Sequence, residues 1–135
     1  MMLVLGSVGF TPVPRQQTLL SAAAFTGSQV VVSDPIYMGN SGNRFHLEIV
    51  TTGTPNGTFA IEGSNQYDPV SNPSATFVAE AAAAPAFPTL TGTPSQTMHG
   101  LFGTSTNGQG AWLRLRYTNT SGTGTLSVYA FIPPT

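Results

Sequence analysis

Apolar and polar positions alternate with a period of two in two long stretches of this chain. Nowhere do they hold a helical period over ten residues. From Arg44 to Thr51, Phe45, Leu47 and Ile49 point one way, while Arg44, His46 and Glu48 point the other. This is the pattern of a half-buried strand. Pro55-Asn56-Gly57 follows as turn chemistry, because Asn and Gly tolerate positive φ. Thr58 to Gly63 then reads as a return strand with Phe59 and Ile61 inward, which predicts a hairpin. The second stretch lies near the C-terminus. Ala111, Leu113, Leu115 and Tyr117 share one face, with Trp112, Arg114 and Arg116 on the other. Thr118 to Gly124 is a Ser/Gly/Thr turn. Beyond it Leu126, Val128, Ala130 and Ile132 alternate with Ser127, Tyr129 and Phe131. A second hairpin is predicted, ending at Pro133-Pro134, which cannot continue a hydrogen-bonded ladder.

Shorter segments complete the pattern. Thr18 to Ala24, Ser28 to Val32, Phe77 to Ala79 and Met98 to Phe102 read as strands; Asp34-Pro35 closes one and Ile36 to Met38 opens another. Fifteen glycines and eleven prolines punctuate these runs, as expected of many short strands joined by turns. The prediction is all-β: one jelly-roll-like β-sandwich domain over residues 1–135, with about seven to nine antiparallel strands. Residues 1–14 are a candidate N-terminal arm. Met1 to Phe10 is apolar but too short to span a bilayer, and it lacks the basic start of a signal peptide. It reads either as a first strand or as an arm docking on a neighbour. Residues 71–97 carry Pro73, Pro85, Pro88 and Pro94 and the run Ala81 to Ala84. They are expected to form an extended Pro/Ala-rich loop, with one helical turn at Glu80–Ala84 that Pro85 stops. So long a connection is uncommon in a compact domain, and it reads as a lid, an arm or an irregular surface loop.

Charge changes the picture. Only 7% of residues are charged and none is lysine; the cations are Arg15, Arg44, Arg114 and Arg116, against about 25% charged residues in an ordinary domain. A net charge of -1 gives no electrostatic footprint for nucleic acid or an anionic membrane, so neither is an expected partner. A neutral, Thr-rich skin repels its neighbours weakly and suits a protein packed against others. The absence of cysteine excludes thiolate chemistry, Cys-ligated zinc and iron–sulfur clusters.

Catalytic material is thin. His46 and His99 are the only histidines and no HExxH spacing occurs, so both read as structural or solvated residues. Glu48 and Glu62 fall on strands predicted to be adjacent, and read as solvent-facing, with Arg44 a candidate partner for one of them. A glycosidase needs two carboxylates at defined separation in a cleft, which nothing here indicates. No GxSxG elbow, dinucleotide fingerprint or Walker loop is present, and Gly100 to Gly110 reads as a flexible turn. Asn56-Gly57-Thr58 and Asn119-Thr120-Ser121 match the glycosylation acceptor, but both fall in predicted turns, where Asn is common anyway. No catalytic residue, cofactor site or metal site is expected, and the chain does not read as an enzyme. The candidate site is an interface. If the second hairpin forms, Trp112, Arg114, Arg116, Tyr129 and Phe131 share one outer face, rich in the residue types that anchor protein contacts. A covering strand, a covering loop and a ligand stacked on Trp112 are the other readings.

Two segments carry a resemblance. Gly57-Thr58-Phe59-Ala60-Ile61-Glu62-Gly63-Ser64-Asn65 is one; the other runs from Trp112-Leu113-Arg114-Leu115-Arg116-Tyr117 through Thr118-Asn119-Thr120-Ser121-Gly122-Thr123-Gly124-Thr125-Leu126. They resemble small virion proteins of tailed bacteriophages, particularly capsid decoration (cement) proteins of β-sandwich or jelly-roll fold. The resemblance implies a structural protein on the capsid exterior that stabilises the shell by bridging its neighbouring subunits. Its partners would be the major capsid protein and copies of itself, as a dimer or trimer. A ligand that binds only the assembled state stabilises that state by mass action, and self-association adds avidity. The resemblance transfers no site residues. A tail, baseplate or fibre component in host attachment, and a carbohydrate-binding module using the Trp112 face, are the alternatives.

Overall fold

A computed structural model describes residues 15–37, 44–80, 87–92, 94–103 and 111–132. These residues form ten strands: β1 (Arg15–Thr26), β2 (Gln29–Val32), β3 (Ile36–Tyr37), β4 (Arg44–Thr51), β5 (Asn56–Ser64), β6 (Val78–Ala79), β7 (Leu90–Thr91), β8 (Gln96–Gly103), β9 (Trp112–Ser121) and β10 (Thr123–Ile132). They build two antiparallel sheets. The first runs β1-β10-β4-β8. The second runs β2-β9-β5-β6, with β3 also paired to β9 and β7 to β5. The period-two pattern survives in the burial. Leu113, Leu115 and Tyr117 of β9 face Leu126, Val128, Ala130 and Ile132 of β10 across one core, joined by Leu19, Leu47, Ile49 and Ile61. Phe25 of the first sheet meets Tyr117 of the second at 5.3 Å between ring centroids.

Neither predicted hairpin forms. β4 lies in the first sheet and β5 in the second; β9 lies in the second and β10 in the first. The connections Thr52–Pro55 and Gly122 therefore cross between layers. The physical reason is that alternation records only which face a strand buries. Two consecutive strands bury their apolar faces equally well by pairing within one sheet or by facing each other across the core. β1 to β2 is a third crossing of this kind. Because β1 pairs with β10 and β10 with β4, while β2 pairs with β9 and β9 with β5, the three crossings lie side by side. Gly27 N donates to Gly122 O at 3.0 Å, Thr52 N to Thr125 O at 3.0 Å and Thr54 N to Thr123 O at 3.1 Å. The Thr52 and Thr125 hydroxyls bond at 2.6 Å. Positive φ falls at Gly53, not at Asn56-Gly57. Gly57 sits within β5, where a Cβ would collide with the Thr118 carbonyl and the Tyr117 ring.

The pairs β1·β10, β2·β9, β4·β8 and β5·β6 are all antiparallel. Together they are one long antiparallel ribbon rolled into two layers, which is the jelly roll. The β5–β6 connection, residues 65–77, is the tip of the ribbon. The all-β sandwich expected from sequence is thus the observed fold, with ten strands in place of seven to nine because β3, β6 and β7 are two-residue pieces. Residues 71–97 are not one loop: they hold β6, β7 and the start of β8. The arm at 1–14, most of the helical turn at 80–84, most of the glycine-rich stretch at 100–110 and the closing Pro133-Pro134 lie outside the described residues.

Candidate functional site

The crossing between β9 and β10 splits the predicted interface. Trp112, Arg114 and Arg116 point outward from the second sheet, and Tyr129 and Phe131 outward from the first, on opposite sides of the sandwich. The five residues do not share a face, because the hairpin that would have joined them is a layer crossing.

On the second sheet, Glu62 lies directly across from Arg114. Its carboxylate accepts from Arg114 Nε at 2.9 Å and from Arg116 Nη1 at 3.4 Å, and its side chain is only 7% exposed. The expectation of a solvent-facing Glu62 on a strand beside Glu48 is corrected on both counts: β4 and β5 belong to different layers, and two guanidinium groups bury the carboxylate. Residues 65–77 fold back over this site. Ser64 Oγ accepts from the amides of Gln66 and Tyr67 at 3.1 and 3.2 Å. Asp68 Oδ1 accepts from the Val70 and Ser71 amides at 2.8 Å each. These two amide bonds, that of Ser71 foremost, hold the Asp68 carboxyl below its ordinary value. The turn they build sets Tyr67 against Trp112 at 4.9 Å between centroids, in edge contact, and against Phe77 at 5.4 Å. The Arg114 guanidinium lies 4.2 Å over the Phe77 ring, and Tyr37 flanks Trp112 at 5.2 Å. Tyr67 and Tyr37 therefore flank the Trp112 ring, which stays partly exposed. Arg116 stays half exposed. Its cross-strand neighbour Val32 and nearby Val30 on edge strand β2 are 38% and 45% exposed.

The first sheet carries an open groove of about 730 Å³ across its outer face. Register lays its side chains out in two rows. Thr18, Tyr129, Glu48 and His99 are successive cross-strand neighbours on β1, β10, β4 and β8. Gln16, Phe131 and His46 form the adjacent row. His99 Nε2 donates to Glu48 Oε1 at 2.8 Å, and the His46 ring stands edge-on to Phe131 at 5.7 Å. Sequence reasoning kept His46, Glu48 and His99 apart from Tyr129 and Phe131. Their outward positions were legible from alternation, but the β10–β4 and β4–β8 register that unites them was not. No group of three His, Asp or Glu side chains converges as a metal centre among the described residues.

The second glycosylation acceptor is also corrected. Asn119 lies in β9, not in a turn, and is fully buried. Its amide donates to Gly27 O at 2.7 Å and Gly122 O at 3.1 Å, while its carbonyl accepts from the Tyr117 hydroxyl at 2.6 Å. No protein-family model and no curated protein matches the chain. Among solved structures, the coat protein of Tobacco streak virus is similar to it at 16% identity over 90% of this chain and 87% of that one, with a TM-score of 0.32.

Proposed function

We propose that this chain is a structural virion protein, decorating the exterior of a phage capsid and stabilising it by bridging neighbouring shell subunits, with copies of itself as further partners. The observation that carries this reading is β2, an edge strand among the described residues. Its sequence Gln29-Val30-Val31-Val32 bears no charge, and Val30 and Val32 stand exposed on its outer face. Proteins that remain monomeric blunt such edges with lysine, proline or a bulge. None of these occurs in β2, and the chain contains no lysine anywhere. A Val-rich, uncharged edge is suited to a fixed neighbour, and the nearly neutral surface around it offers little repulsion to close packing. The jelly roll supplies a rigid two-layer body on which that edge is held, and this architecture serves viral shells as well as lectins.

Copy number tests the proposal. Quantitative mass spectrometry of purified particles should find this chain at one copy per shell subunit or a simple fraction of it. A handful of copies per particle would instead assign it to the tail, baseplate or fibre, and absence would overturn the virion reading. The double variant Val30→Lys/Val32→Lys should fold, because both side chains are exposed, yet lose attachment to the shell.

A further inference from the structure

We propose that the groove across the outer face of the β1-β10-β4-β8 sheet is a binding site for a neutral oligosaccharide. This goes beyond the shell reading, does not depend on it, and uses the layer opposite β2 and Trp112.

The register brings the parts of such a site together on one face. Four neighbouring strands about 4.8 Å apart give a trough about 14 Å wide, the reach of about three sugar rings in a row. Its volume, about 730 Å³, lies within the range of small-ligand sites. A saccharide ring has an apolar C–H face and an equator of hydroxyls, so its site needs both an aromatic surface and planar groups that donate and accept. Tyr129 and Phe131 supply the surface from the centre of the sheet, with Tyr129 38% exposed. Glu48, His99 and His46 supply the planar polar groups on the β4–β8 side, and Gln16 supplies an amide on the β1 side. His99 is bonded to Glu48, which fixes the carboxylate and leaves its second oxygen to accept from a hydroxyl pair.

Electrostatics separates the ligand classes. Among the described lining residues only Glu48 bears a fixed charge, and it is negative. A phosphate or carboxylate ligand would meet that charge with no arginine among the described lining residues to offset it. A wholly apolar ligand would desolvate Glu48 and both imidazoles without replacing their hydrogen bonds. A neutral polyol satisfies both constraints.

The two histidines of the chain both line this groove, so their imidazole resonances report its occupancy without interference. The uniformly ¹⁵N-labelled chain would be titrated with cellohexaose, maltohexaose and mannohexaose, with polygalacturonate as the anionic comparison. The expected result is a saturable shift of both imidazoles with at least one neutral hexasaccharide, no shift with polygalacturonate, and unchanged emission from Trp112 on the opposite layer. Tyr129→Ala should weaken binding about tenfold or more, the usual loss when a stacking ring is removed. Tyr129→Phe should keep most of the affinity and guards against a folding artefact, and Arg116→Ala should leave binding unchanged. Imidazoles that stay unmoved by all three sugars at about 10 mM, a concentration that detects Kd values in the millimolar range, would overturn the proposal. So would binding that survives Tyr129→Ala. Shifts that grow with protein concentration in the absence of sugar would also overturn it, by showing that a second copy of the chain fills the groove.

Discussion

Thr51 Oγ1 is buried and has no hydrogen-bond partner among the described residues. A buried hydroxyl left unpaired costs about 1–3 kcal/mol in desolvation. Thr51→Val keeps the branched shape that suits a strand and removes the orphaned group, so it should raise stability by about 1 kcal/mol. Urea unfolding would show this as a higher midpoint at an unchanged m-value. Tyr117 presents the opposite case, a buried hydroxyl that is used. It donates to Asn119, whose amide in turn holds the Gly27 and Gly122 carbonyls. Burial pushes the Tyr117 phenol above its ordinary value of 10.0. The native state therefore keeps a proton that the unfolded chain releases first. That contribution is fully present below pH 10.0, and stability falls as pH rises from there toward the folded value. In Tyr117→Phe this alkaline loss should disappear, at a cost of about 1–3 kcal/mol at neutral pH for the abandoned Asn119 carbonyl. Unfolding followed on both sides of the tyrosine range would check the two effects together.

At the scale of elements, the three crossings make the sandwich, and their glycines are not equivalent. Gly27 has φ +61 and nothing lies within 4 Å of where a Cβ would stand, whereas at Gly53, with φ +80, a Cβ would collide with the Thr123 carbonyl. Gly27→Ala should cost only the left-handed penalty, about 1–2 kcal/mol. Gly53→Ala carries the same penalty and also forces apart the neighbouring crossing, where Thr54 N meets Thr123 O. Its cost should exceed about 3 kcal/mol, seen as a much lower melting temperature or as failure to fold. These crossings also explain what the sequence could not convey. The inward faces of β4, β5, β9 and β10 were legible because burial of one face imposes a period of two. Their pairing was not, since the same alternation serves a hairpin and a layer crossing alike. Asn56-Gly57 reads as turn chemistry, yet Gly57 is needed there because Thr118 and Tyr117 leave no room for a side chain.

Across the whole molecule, the two outer faces have separate characters, and the candidate site divided with them. The identities of Trp112, Arg114, Arg116, Tyr129 and Phe131 as outward residues came directly from alternation, but their grouping required strand order, a long-range property. The contacts of Tyr67 with Trp112 and of Phe77 with Arg114 had no local signal, because they depend on how residues 65–77 fold back over β9. The resulting surface has very little charge to work with: four cations and five acids in 135 residues, with Arg114, Arg116 and Glu62 already committed to one another. If β2 and the surface around it mediate assembly, association is driven by apolar and neutral polar contacts, not by ion pairs. Screening by salt acts on exposed charges and leaves such contacts intact, while sulfate strengthens apolar burial. Self-association or shell attachment, measured by analytical ultracentrifugation, should thus stay constant between about 0.05 and 1 M sodium chloride and tighten in ammonium sulfate. A steep loss with sodium chloride would mean that the few exposed charges, Arg116 first among them, carry the contact, and the uncharged edge of β2 would lose its claim to be the interface.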